Sequence, residues 1–137
     1  MEKQKKVLTE RQVERRKEII TKYDEAFKPL GIKVLNHYSE KFQSSGHLYL
    51  TRIPGITSEQ RNEIIIKMAE KGIATNVHYK PLPMMTAYKA YGWDIKDFPN
   101  AYDYFHNLIT LPLHTRLSDE DVEYVVNAYK SIVKDYI

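Results

Sequence analysis

The feature that most restricts the fold lies near the C-terminus. Val122, Val125, Val126, Tyr129, Ile132, Val133 and Tyr136 recur at the helical period and form one unbroken apolar stripe. Ser118, with Asp121 three residues on, supplies the helix start: each side chain is placed to bond the other residue's backbone N–H. A helix striped in this way must lay its apolar face on another layer, because most helical stability comes from that packing.

The rest of the chain supplies the candidates for that layer. Residues 7 to 28 read as a first amphipathic helix, with Val13, Ile20, Tyr23 and Phe27 near the helical period and Pro29 and Gly31 ending it. Ile32, Val34 and Leu35 suit a short edge strand, and Ser44-Ser45-Gly46 marks a loop. Residues 47 to 53 are rich in strand formers, with Leu48, Leu50 and Arg52 pointing one way and His47, Tyr49, Thr51 and Ile53 the other. Thr57 and Gln60 form a capping box for a helix through Ile64, Ile65, Met68 and Ala69, which Gly72 stops. A second strand is predicted over Ile73 to Tyr79, ended by Pro81 and Pro83, which cannot donate to a ladder. Residues 84 to 99 read as a loop with a short helical turn, and Asn100 as the cap of a helix across Tyr102, Phe105 and His106. Leu108 to Leu113 reads as a strand that Pro112 confines to an edge or an end. The alternation of helices and strands predicts an α/β (α+β) two-layer sandwich, a small sheet of three to four strands with helices on one face.

Composition narrows the function classes by exclusion. A chain of 137 residues with 42% hydrophobic residues fits one globular domain. Cysteine is absent, which excludes a disulfide framework, a zinc ribbon and a thiol nucleophile. No apolar run approaches the roughly 18 residues of a membrane span, and the charged N-terminus is unlike a secretory leader, so a cytoplasmic location is the default. The net charge of +3 resides in residues 1 to 28, where acids and bases alternate through Glu10, Arg11, Glu14, Arg15, Arg16, Lys17 and Glu18. That suits a solvated helix face better than a nucleic-acid stripe, which would be more uniformly basic. The five glycines stand singly, so no phosphate-binding glycine loop can be built, and no histidine pair has metal-ligand spacing. No metal site is expected.

One stretch carries chemistry: Asn76-Val77-His78-Tyr79-Lys80-Pro81-Leu82. It delivers an imidazole, a phenol and an ammonium together where a strand passes into a rigid loop, the kind of place where sites are built. Taken by itself it reads first as a half-buried His–Tyr pair with a solvated lysine.

The phrase Gly72-Ile73-Ala74-Thr75-Asn76-Val77-His78-Tyr79-Lys80-Pro81-Leu82 resembles the Lys-Gly-Ile-x-x-x-x-His-Tyr-x-Pro-Leu phrase of the DegT/DnrJ/StrS family of sugar aminotransferases. Arg15-Arg16-Lys17-Glu18-Ile19 with Tyr23 is similar to that family's Arg-Arg-x-x-Ile-x-x-x-Tyr helix. His47-Leu48-Tyr49, Phe98-Pro99-Asn100-Ala101 and Leu111-Pro112-Leu113-His114 resemble further phrases of the family in the same order. Tyr102 departs from it, standing where a glutamate is usual. The resemblance implies the small C-terminal domain of a fold type I aminotransferase, with residues 1–28 leading in from a missing large N-terminal domain and 29–137 forming the small domain. It implies amino transfer from glutamate to a keto group on a nucleotide-linked sugar, in cell-surface polysaccharide or deoxysugar biosynthesis. Pyridoxal phosphate (PLP) would serve as cofactor, and the parent enzyme would be a homodimer. The Schiff-base lysine would lie on the large domain, so the segment alone is expected to be inactive and not to bind the cofactor. His78 and Tyr79 are the first choices to face the sugar, Lys80 to approach the diphosphate, and His47, Tyr49 and His114 are second-tier substrate contacts. No residue of this chain is assigned a catalytic role.

Three alternatives stay open on the sequence. Relatives with the same fold act as sugar dehydrases using the pyridoxamine form of the cofactor, and the deciding residue lies outside this chain. A small non-catalytic module binding nucleic acid or protein is the second, with strand aromatics such as Tyr49 as stacking platforms. A regulatory or purely structural fragment is the third.

Overall fold

The computed structural model describes residues 2–137, with side chains from residue 9 onward; Met1 and the side chains of residues 2 to 8 lie outside the described residues. Helix α1 spans Glu2–Phe27, β1 Lys33–Val34, β2 Tyr49–Arg52, α2 Ser58–Glu70, α3 Thr86–Lys89, α4 Pro99–His106, β3 Leu108–Leu111 and α5 Asp119–Val133. The three strands form one antiparallel sheet in the order β1-β2-β3. Its register pairs Val34 with Thr51, Thr51 with Ile109, and Leu50 with Thr110. The mixed helix-and-sheet architecture and the three-strand sheet agree with the predicted fold class.

Strand alternation divides the sheet cleanly. Tyr49, Thr51 and Ile53 point into the core with Ile109 and Leu111 from β3, and helices α1, α2 and α5 cover that face. From α1 come Ile19, Ile20, Tyr23 and Phe27, from α2 Ile64 and Met68, and from α5 Val122, Val125, Tyr129, Ile132 and Val133. Four aromatics meet at the centre: Tyr23 and Tyr49 at 4.9 Å between ring centroids, and Phe27 edge-on to Tyr129 at 5.2 Å. The three tyrosine hydroxyls are all satisfied. Tyr23 donates to the Pro112 carbonyl, Tyr49 to Asp24, and Tyr129 bonds the Thr51 hydroxyl.

Both capping boxes form as the sequence predicts, Thr57 with Gln60 on α2 and Ser118 with Asp121 on α5. Gly72 takes φ 75°, the left-handed conformation that ends α2 without a Cβ penalty. The alternating charges on α1 do more than face solvent. Arg15 bonds Glu18 one turn on, but both Arg15 and Lys22 also reach Asp119 at the start of α5, at 2.9 and 2.8 Å. Arg15 further donates to the Leu117 carbonyl, so α1 is tied to the start of α5.

Three elements differ from expectation. Ile73 to Tyr79 is not a strand: it touches the sheet through a single bridge, Asn76 to Thr110. The reason is local, because the Asn76 side chain accepts the Val77 N–H at 2.7 Å and so offers the backbone an alternative to a ladder. Asn100 is not a cap either. Helix α4 starts two residues earlier than that cap would place it, with Pro99 in its first turn, where a missing N–H costs nothing, and Phe98 flanks it without a side-chain bond. The strand predicted to Leu113 stops at Leu111, ahead of Pro112.

Candidate functional site

The site candidates lie on the sheet face opposite the core. There β2 presents Leu50 and Arg52, and β3 presents Leu108 and Thr110. Helix α4 is held over this face by its C-terminal end, whose last carbonyls lack helical partners and favour cations. Arg52 donates to the Asp103 carbonyl at 2.8 Å and to the Asn107 side chain at 3.0 Å, with its guanidinium over the Tyr104 ring. Arg61, buried on α2, donates to the Phe105 carbonyl at 2.9 Å and lies over the Phe105 ring. Burial lowers the Arg61 pKa, so its charge is held there at a desolvation cost.

The segment Asn76–Lys80 crosses the free edge of β3. Thr110 exchanges both backbone bonds with Asn76, accepting at 3.2 Å and donating at 2.7 Å. In an antiparallel bridge the residue two further along shares the same face, and His78 accordingly reaches Thr110, with Nδ1 at 3.0 Å from Oγ1. The peptide bond between His78 and Tyr79 is cis, and the two rings meet edge-on at 4.7 Å. Tyr79 is 68% exposed. Tyr79 and Lys80 open onto a hollow of about 640 Å³ whose floor is Pro81, Leu82, Met85, Tyr104 and Phe105. A half-buried imidazole, an exposed phenol, an exposed ammonium and an apolar hollow therefore share one edge.

The remaining sequence candidates lie elsewhere. Tyr49 is fully buried in the core with its hydroxyl committed to Asp24, because alternation puts it on the same face as Thr51 and Ile53. Burial first, and then the bond to Asp24, drive its pKa far above the ordinary phenol value. His47 is exposed just ahead of β2. His114 is exposed on a second hollow of about 400 Å³, with Ile73, Pro112, Leu117, Asp121 and Tyr124. Tyr102, in place of the usual glutamate, is 41% exposed and stacks on His106 at 5.6 Å. Sequence reasoning missed Thr110. The available clue was a lone polar residue in the apolar run Leu108-Ile109-Thr110-Leu111, opposite in phase to Ile109 and Leu111.

The sequence profile of the DegT/DnrJ/EryC1/StrS aminotransferase family matches residues 5–130. The chain belongs to this family. It is 33% identical over 126 residues to the spore coat polysaccharide biosynthesis protein SpsC of Bacillus subtilis, covering 88% of this chain and 32% of SpsC. It is 30% identical to the dTDP-4-dehydro-2,3,6-trideoxy-D-glucose 4-aminotransferase of Saccharopolyspora spinosa, covering 91% of this chain and 31% of that enzyme. Among solved structures, the PLP form of Spr1654 from Streptococcus pneumoniae, assigned as a sugar aminotransferase, superposes with a TM-score of 0.88 at 48% identity, covering 92% of this chain and 32% of that one. The chain thus spans about a third of the length of these relatives.

An amine that condenses with an aldehyde must be neutral, which proteins achieve by burial or a neighbouring cation. Every lysine from residue 9 onward has an exposed side chain, including Lys80. Among the described residues no cluster of three histidines, cysteines or carboxylates is placed to hold a metal ion. No described helix is long and apolar enough to cross a membrane.

Proposed function

We propose that this chain is the C-terminal small domain of a PLP-dependent aminotransferase that transfers an amino group from glutamate to a nucleotide-linked keto sugar. Residues 1–28 lead in from a large N-terminal domain, and residues 29–137 form the small domain. The observation that carries the reading is the edge bearing His78, Tyr79 and Lys80 beside the hollow of about 640 Å³, in a chain of this family.

On this reading the chain's own groups bind and orient. His78 and Tyr79 offer neutral hydrogen-bonding groups to sugar oxygens, where an unmatched hydroxyl leaves buried polar groups unpaired and so penalises the wrong sugar. Lys80, exposed, meets the diphosphate as a point charge. Leu82, Met85 and Tyr104 exclude water from one side of the sugar. The cofactor supplies the electron sink for the transfer, and the groups that hold it belong to the large domain. The parent is a cytoplasmic homodimer, and the isolated segment is inactive.

Two measurements test this. The 137-residue chain mixed with PLP should give no absorbance band beyond that of surface lysines. Expressing the reading frame extended upstream of Met1 should yield a protein that binds the cofactor and aminates a dTDP- or UDP-linked 4-keto sugar with glutamate, followed by mass spectrometry. An extended protein that binds the cofactor and aminates no nucleotide sugar refutes the reading.

A further inference from the structure

The edge that carries His78 is fixed by one residue of β3. Thr110 gives the segment both backbone bonds to the sheet, through Asn76, and a side-chain bond to it, with His78 Nδ1 at 3.0 Å from its hydroxyl. The direction of that last bond follows from the number of protons present. Thr110 is 5% exposed, and His78 Nδ1 is the partner its hydroxyl has among the described residues. If Nδ1 carried the proton and donated to Oγ1, the threonine's own hydrogen would be buried without an acceptor, at the cost of an unsatisfied donor. If the hydroxyl donates to a bare Nδ1, both groups are satisfied by one bond. A neutral imidazole carries one N–H, so it must then sit on Nε2, the nitrogen with no partner among the described residues.

We propose that Thr110 is a positioning residue that holds His78 in its Nε2–H tautomer, so that the ring's free edge is a hydrogen-bond donor and its ligand atom an acceptor oxygen. This rests on the reading of His78 as a sugar contact and sharpens it. The imidazole selects a keto, ether, hydroxyl or phosphate oxygen and does not act as a base toward the substrate. Thr110 also couples the register of β3 to the polarity of the site. Ile109 and Leu111 must face the core for Thr110 to face His78.

Long-range proton–nitrogen NMR correlations of the histidine rings report which nitrogen carries the proton. They can be read on the 137-residue chain in a buffer alkaline to ordinary histidines, with the His78 signals assigned by their loss in His78→Gln. The unmodified chain should show a protonated Nε2 and a bare Nδ1 at His78. Thr110→Val should lower the ratio of the Nε2–H to the Nδ1–H form about tenfold, the equivalent of about 1.4 kcal/mol and close to one net hydrogen bond. Thr110→Ser, which keeps the hydroxyl, should restore the unmodified pattern. If Thr110→Val fails to fold, Thr110→Ala makes the same comparison. A protonated Nδ1 in the unmodified chain overturns the proposal, as does a ratio unchanged by removing the hydroxyl. No sugar nucleotide is present in these spectra, so their failure leaves the aminotransferase reading standing. That reading falls separately on the activity assay of the extended protein.

Discussion

The buried pair Thr51–Tyr129 offers a sharp test of how this core is held. Tyr129 Oη lies 2.6 Å from Thr51 Oγ1, and Thr51 in turn donates to the Ile109 carbonyl at 2.8 Å. Threonine has one hydroxyl hydrogen and spends it on Ile109, so Tyr129 must be the donor to Thr51. Burial holds the Tyr129 phenol pKa well above its ordinary value, which keeps it a donor across the usable pH range. Tyr129→Phe removes that donor and leaves Thr51 still donating to Ile109, at a cost of about 1 kcal/mol. Thr51→Val keeps the shape and suits a strand, but it strands the Tyr129 hydroxyl in a site with no exposure, at a cost of about 2 kcal/mol. The double variant strands nothing, since Ile109 remains in the ladder opposite residue 51. It should therefore cost about 1 kcal/mol, less than Thr51→Val alone. In urea unfolding, Thr51→Val should lower the midpoint by roughly 1 M, and adding Tyr129→Phe should recover about half of that. If Tyr129→Phe lowers the midpoint equally in both backgrounds, the assignment of donor and acceptor is wrong.

Ser118→Ala removes one half of the α5 capping box and should cost about 1 kcal/mol, seen in calorimetry as a melting point lower by roughly 4 °C; an unchanged melting point would show that the cap is redundant. His37 is buried, bonded through Nδ1 to Ser44 and stacked on Tyr49, and its pKa is lowered by desolvation and by Lys28, against the pull of Asp24. The unfolded chain therefore takes up a proton that the folded ring resists. Stability should fall as pH drops through about 6.5, and His37→Gln should flatten that slope; equal slopes in the two proteins would count against it. Among the described residues, eight of the thirteen exposed large apolar side chains fall between residues 79 and 104, among them Tyr79, Leu82, Tyr91 and Trp93. The isolated chain should self-associate through this surface, and a strict monomer by light scattering at high concentration would contradict that.

The helices were legible because their instructions are local. A capping box, a left-handed glycine or a stripe at the helical period acts within a few residues, so Thr57, Gly72 and the Val122–Val133 stripe could be read directly. The segment Ile73 to Tyr79 departs from the predicted strand because its composition suits a sheet while one side chain, Asn76, diverts the neighbouring N–H. Pairing depends on a partner elsewhere in the chain, and composition carries no record of it. The Asn100 cap fails for a smaller reason: proline at the first helical turn is itself a start, and it puts the cap two residues sooner, at Phe98.

The site was legible as a phrase and not as a geometry. His78, Tyr79 and Lys80 are adjacent in sequence and remain together in space, which any rigid turn would ensure. Tyr49 is the contrary case. It sits two residues from Thr51 and four from Ile53, and the same alternation that placed those residues in the core placed Tyr49 there too. The phase of β2 thus already assigned Tyr49 to the buried face. The phase of β3 likewise assigned Thr110 to the opposite one. A slip of one residue in the β2–β3 register would exchange Thr110 for Ile109 or Leu111 beneath His78 and leave the imidazole against an aliphatic side chain. The apolar residues that seal the core therefore also set which nitrogen of His78 is free to meet a ligand, so a stability defect in β3 should appear at the site as well.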